Sequence, residues 1–431
     1  MIRIPGNRAA MWCAAAGVTA LCGVLLTAPT AHATSPAAAL APLSCGQTVT
    51  TSVVLVADLL NCPGDGLIIG SGGITVDLNG HTVDGVGLGT GIRNNGFDNT
   101  IITNSSTAPA RVEQFDYGTR LDPGSSGNLV EKIIIRNNEF SGVTLHGAGA
   151  NNRVRGNLIE RQSHTGVTLT GGSNSNVIID NTISFNQGGG VFVQSSADNR
   201  FESNRITDSG QAGVVLEASM VNTLLTNTIS GSGDGGVVIR LGADHNLLQS
   251  NTATRNSDAG VIISGSTGNR LLSNDLRNSG DSGVFLQAAH SSRILGNNVS
   301  ENTGGIQLSG SDNNLIRSNT ANDTTGDGIG LELSLNNAVE LNRTDRNGSA
   351  GIRITGSAPS GTGNSLVGNI ATANKGDGIH VAKNVHTLRA NVTRSNGGWG
   401  IIADPANVDG GTNKASGNGQ AAQCTGVVCT P

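Results

Sequence analysis

Aromatic residues are scarce: one tyrosine, two tryptophans and seven phenylalanines in 431 residues. That weakens any picture of a module that stacks sugars on a wall of rings. After residue 33 no stretch is apolar enough to cross a bilayer. Cysteine is absent between Cys62 and Cys424, and histidine and methionine are thin over the same span, which weakens a copper-handling role. The 63 glycines follow no collagen period. The nine-residue period of calcium-binding arrays and the consensus leucines of leucine-rich repeats are missing too.

Two arginines, Arg3 and Arg8, precede an apolar run from about Met11 to Ala28 and then Ala31-His32-Ala33. This is the pattern of a secretory signal peptide, residues 1–33, cut before Thr34. The mature protein is therefore expected to be secreted, extracellular and free of a membrane span. Removing the two arginines leaves 24 basic against 31 acidic residues, a net charge of about −7, which argues against nucleic acid and anionic membrane surfaces as partners. Cys45, Cys62, Cys424 and Cys429 stay in the mature chain, near its two ends. In an oxidising compartment the natural reading is two local disulfides, Cys45–Cys62 and Cys424–Cys429. Three pairings are formally open, and a four-thiolate metal site is the rival.

What the sequence does contain is a repeat. In NLLQSNTATRNSDAGVIISG, residues 246–265, an asparagine and an apolar pair are followed by a second asparagine five residues on, then by Gly-Val and two aliphatics. The glycine of that motif recurs thirteen times from Gly118 to Gly400, every 22–24 residues apart from one interval of 27. Nine residues before it runs a column of asparagines from Asn157 to Asn391, and four before it a second polar column from Asn138 to Asn396. Three short apolar pieces fit each period, for example around Leu248, Ala253 and Val261–Ile263. Each is short and alternating, and so a strand. Such a unit cannot bury its inner face alone; stacking unit on unit does. The expected fold is all-β: a single right-handed parallel β-helix of about fifteen coils with three strands per coil, roughly 70 Å long at ~4.8 Å per coil. Residues 34–66 would be an N-terminal cap, 67–402 the helix and 403–431 a C-terminal cap, each cap with its disulfide. Stacked asparagines would bond along the column, and both asparagine and glycine would serve left-handed corners.

The stretches ITVDLNGHTVDG (74–85) and RVEQFDYGTRLDPGSSGNLV (111–130), with the tandem Asn…Asn…Gly-Val repeats, resemble the right-handed parallel β-helix repeat proteins of the pectin-lyase-like superfamily. The repeats are similar to carbohydrate-binding and sugar-hydrolase repeats and to NosD-type copper-processing periplasmic proteins. The resemblance implies the fold and a polysaccharide partner. It carries no single activity, because the expected signatures are missing. There is no Gly-His-Gly with Arg-x-Lys, no paired Asp-Asp, no Arg-x-Pro-x-x-Arg, and Asp122-Pro123 is followed by Gly124 in place of His-Asp.

Sites on such a fold are outward side chains on neighbouring coils. The outward column of the third strand reads Arg120, Thr144, Thr168, Phe192, Val215, Val238, Ile262, Phe285, Gln307, Gly330, Arg353, His380. Its apolar middle is either a groove floor or partner surface, or a stripe covered by a loop. The next column holds Asp122, His146, Glu217 and Arg240. Asp122 orienting His146, beside Arg120 and with Tyr117 as proton donor, would suit proton abstraction next to a uronate. His164, two coils away, is expected to lie too far. Phe192, Glu217, Arg240 and Phe285 are the expected substrate contacts. The plainer reading makes Asp122–His146 and Glu217–Arg240 cross-strand ion pairs. Asp234, Asp258 and Asp281 fall in register and either hold calcium or are turn residues pointing into water. The leading functional expectation is an exported protein that binds or processes an extracellular polysaccharide, by β-elimination if it is a lyase. A non-catalytic surface or matrix scaffold is the alternative, and a NosD-like periplasmic accessory protein the weaker one.

Overall fold

In the unit read above, Leu247–Gln249, Thr252–Thr254 and Val261–Ser264 are strands. Each is short because a corner follows within a few residues. Leu248 pairs in parallel with Leu224 before it and Leu271 after it. Ala253 pairs with Ile229, and Ile263 with Ile239 and Leu286. Repeated along the chain, this gives three stacked parallel sheets, here called first, second and third in the order the unit visits them. The computed structural model describes residues 39–40, 42–356, 363–382 and 385–431; the expected signal peptide lies outside these. Among the described residues there is no α-helix, and the chain makes a right-handed parallel β-helix of about 16 turns. Parallel pairing reaches from Gln47–Val49 on Leu67–Ile69 to Asn413–Lys414 on Cys429–Thr430. Disulfides join Cys45 to Cys62 and Cys424 to Cys429.

The core is a set of columns. Val154, Ile178, Phe201, Leu224 and Leu248 line the first sheet's inner face, and Val167, Leu169, Val191 and Val193 the third's, all essentially without exposure. Truncating one such residue to alanine costs about 2–5 kcal/mol.

Three buried amide ladders run beside these columns. Asn251 shows the rule. Its Oδ1 accepts the backbone N–H and the Nδ2–H of Asn227 at 2.9 and 3.0 Å, and its own Nδ2 donates to Asn274 Oδ1 at 3.1 Å and to the Leu224 carbonyl at 2.9 Å. One carboxamide therefore satisfies a corner that would otherwise bury backbone groups without partners. The second ladder is the column of Asn347, Asn374 and Asn396. The third runs through Asn222, Asn246 and Asn269.

The expected left-handed role of the ladder asparagines and motif glycines is corrected. The left-handed residues are the ones just before the ladder amides, such as Ser250 (φ 54) and Arg255 (φ 56). The glycine of Gly-Val is required by space. A Cβ on Gly236 would stand 2.6 Å from both the Gly260 carbonyl and the Asn256 amide nitrogen. Each coil puts its backbone where that side chain would go.

Candidate functional site

The third sheet positions the outward column in the register read from the sequence. Arg120 pairs with Thr144, Thr144 with Thr168, and Thr168 with Phe192. The column continues through Val215, Val238, Ile262 and Phe285 to Gln307. Its flanking residues are buried aliphatics, with the buried Thr119 beside Arg120, so the middle residue is forced outward.

At the N-terminal end of this face is a cleft of about 460 Å³, lined by Tyr117, Arg120, Phe140, Thr144, His146, His164 and Phe192 among others. Three rings cross its edge. Tyr117 stacks on Phe140 at 5.6 Å between centroids, and Phe140 meets the His164 ring at 5.5 Å. The Arg120 guanidinium lies 5.0 Å from the Tyr117 ring centre. Phe140 is 44% exposed, a large apolar ring left at a cleft edge.

Four of the residues singled out from sequence, Tyr117, Arg120, His146 and Phe192, are thus brought together. The Asp122–His146 pairing is not. The Asp122 carboxylate accepts Nε–H groups from Arg120 at 2.7 Å and Arg93 at 2.8 Å. Burial pushes this carboxyl up, but the hydrogen bonds and charges of Arg93 and Arg120 outweigh it and hold it below its ordinary 3.8. His146 Nδ1 bonds Thr170 Oγ1 instead, at 3.1 Å. Asp122 therefore fixes Arg120, and the histidine is oriented by a hydroxyl.

His164 corrects the expected distance. It sits in the same cleft although it belongs to the second coil after Tyr117, because the Phe140 ring fills the gap. Its Nδ1 lies 2.9 Å from the Glu139 carbonyl. A carbonyl only accepts, so Nδ1 carries the hydrogen and Nε2 of the neutral ring is left as a base. Thr144 Oγ1, buried in the cleft wall, has no hydrogen-bond partner.

The other expected site residues lie elsewhere. Glu217 bonds Arg240 at 2.8 Å and accepts from Gln194 at 2.8 Å, forming an ion-paired strip beyond the cleft. Phe285 lines a second cleft farther along the face. Asp234, Asp258 and Asp281 are stacked as read. Burial, then the charges of Asp281 and Asp234, push the Asp258 carboxyl above 3.8. Among the described residues no three His, Cys, Asp or Glu side chains converge as a ready metal site, and no helix is long and apolar enough to cross a membrane.

Residues 165–314 and 260–396 match the family described as right handed beta helix region. The chain belongs to the right-handed β-helix family. Residues 64–234 also match the family described as periplasmic copper-binding protein (NosD). No curated protein matches the chain. Among solved structures, the A-module of an Azotobacter vinelandii mannuronan C-5 epimerase is similar at 13% identity and a TM-score of 0.48, over 75% of this chain and 86% of that one. A second A-module from the same organism is similar at 14% and 0.47, over 89% and 91%. A DFA-IIIase from Arthrobacter chlorophenolicus is similar at 13% and 0.43, over 62% and 81%. No residue role is carried over from them.

Proposed function

We propose that this β-helix protein binds an acidic extracellular polysaccharide in the Tyr117–His164 cleft and processes it there. The observation that carries the reading is the composition of the cleft. Arg120, His146 and His164 line it together with two phenylalanine rings and a tyrosine, and no carboxylate faces in. Such a wall suits a sugar that presents a carboxylate to a guanidinium and its ring face to an aromatic edge. Two disulfides fit an oxidising, extracytoplasmic compartment.

If the protein is a lyase, the roles follow from the geometry. Arg120, held by Asp122, neutralises the uronate carboxylate. His164 Nε2 takes the proton from the carbon beside that carboxylate. The glycosidic oxygen then leaves as a double bond forms, protonated from the Tyr117 hydroxyl. The test is a screen of uronic-acid polysaccharides followed by absorbance near 235 nm, with and without calcium. A product that is lost in Arg120→Ala supports the reading. Absence of product from every polymer, with the fold intact, sinks catalysis by elimination.

The scaffold reading is favoured by one observation: the apolar column from Phe192 to Phe285 crosses the middle of the face. Binding without turnover would then be the whole activity. For a copper-processing role the donor set is poor, since among the described residues no three His, Cys, Asp or Glu side chains converge.

A further inference from the structure

The outward column of the third sheet changes character past Ile262. It runs Phe285, Gln307, Gly330, Arg353, His380. Gly330 gives the Gln307 carboxamide room to lie across the face, because a Cβ there would stand 2.0 Å from Gln307 Oε1. Beside this carboxamide lies a cleft of about 320 Å³, whose wall includes Asp281, Phe285, Gln307, Asp327, Glu332 and Arg353. Eight coils separate Gly330 from Thr144, about 38 Å at ~4.8 Å per coil.

Two anchored pairs frame this end of the face. Asp327 accepts the Ala350 backbone N–H at 2.8 Å and the Arg353 Nε–H at 2.9 Å. Two coils on, Asp377 accepts the Trp399 backbone N–H at 2.8 Å and bonds His380 Nδ1 at 2.9 Å. A carboxylate accepts, so His380 donates to it from Nδ1 and turns its Nε2 edge away from Asp377. Arg353 and His380 are direct partners across neighbouring strands. Among the described residues, Asp281 and Glu332 form no ion pair through their side chains. The cleft therefore combines acceptors (Asp281, Glu332), donors (Gln307, Arg353) and one flat apolar ring (Phe285). That set matches the hydroxyls and C–H face of a sugar ring. Three carboxylates against one arginine already paired to one of them disfavour an anion.

We propose that this cleft is a second saccharide site, which takes a neutral, uncharged sugar unit. It borrows from the reading of the first cleft only the class of ligand. The test is calorimetric titration of the full mature protein with neutral oligosaccharides: α- and β-glucans, xylans, mannans and galactans. The expected result is binding of at least one of these, weakened tenfold or more by Phe285→Ala and by Glu332→Ala, and unaffected by saturating oligogalacturonate. Because Glu332 is exposed, its replacement leaves the fold intact and keeps the test decisive. Failure of every neutral glycan to bind the folded protein overturns the proposal, as does displacement of the neutral glycan by oligogalacturonate. Should oligogalacturonate not bind at all, the reading of the first cleft falls, while the neutral-glycan titration alone still decides this one.

Discussion

Asp122 accepts the Nε–H of Arg120 at 2.7 Å while also holding Arg93 from the preceding coil. One nearly buried carboxylate thus aims the guanidinium that faces the cleft. Replacing Asp122 by asparagine is expected to cost about 1–3 kcal/mol and to loosen Arg120. The folded carboxyl titrates below its ordinary 3.8. Its contribution is therefore fully present above the unfolded value and is lost as pH falls through the depressed folded one. Denaturant midpoints of the two proteins should differ at pH 7 and converge in strong acid.

The amide ladder gives a sharper prediction. Asn251→Ala strands two donors of Asn227 and leaves Asn274 Oδ1 with only the backbone N–H of its two bonds. The loss should be about 1–3 kcal/mol per stranded group. Because coils touch only their neighbours, amide exchange should speed up in the adjoining coils and not at the ends. A uniform change along the helix would contradict this.

His386 stands in a ladder position otherwise held by Asn364 and Asn407. Its Nδ1 accepts the Asn364 backbone N–H at 2.8 Å, and its buried Nε2 has no partner. Burial pushes its pKa below 6.5. The unfolded chain therefore takes up the proton first. Stability is full above the unfolded value and falls as pH drops through it toward the lower folded one. His386→Asn should flatten the pH dependence of the melting temperature between about pH 7 and 5. It should also add about 1–3 kcal/mol by removing the orphaned donor. An unchanged pH profile would refute the assignment.

Asp258 titrates the opposite way to Asp122. Its folded pKa is raised, so the folded state loses stability as pH rises from the unfolded value through the folded one. Asp258→Asn is expected to stabilise the protein at pH 7 by a few tenths to about 1 kcal/mol, and to do nothing at pH 3. If millimolar calcium binds this ladder of carboxylates, it will raise the melting temperature of the parent protein and not of the variant.

The period, the three strands per coil and the register of the outward column were legible because every coil meets the same environment. Leu248, Asn251 and Gly260 each answer to one repeated constraint. The column that contains Asn246 was visible as the first asparagine of the motif, yet its continuous ladder emerges only when the corners are built. The clefts were harder to read. Backbone register places Tyr117 and His164 two coils apart, and the Phe140 side chain that bridges them obeys no repeat. Register likewise sets Asp122 beside His146. Side-chain reach decides that its partners are arginines, one of them, Arg93, lying before the regular repeats begin. Arg353 and His380 were legible as neighbours in the column. Their anchoring aspartates, Asp327 and Asp377, stand just before the motif glycines, where most units carry small residues.

The reading of the first cleft stands or falls on whether its two histidines meet an acidic sugar. The most direct measurement is a histidine-ring nitrogen NMR titration of the mature protein with oligogalacturonate, the rings assigned by single replacement. The account predicts that the His146 and His164 signals shift in a saturable way, that the shifts vanish in Arg120→Ala, and that His81 and His386 stay still. Unmoved His146 and His164 signals, or equal shifts throughout, would contradict it.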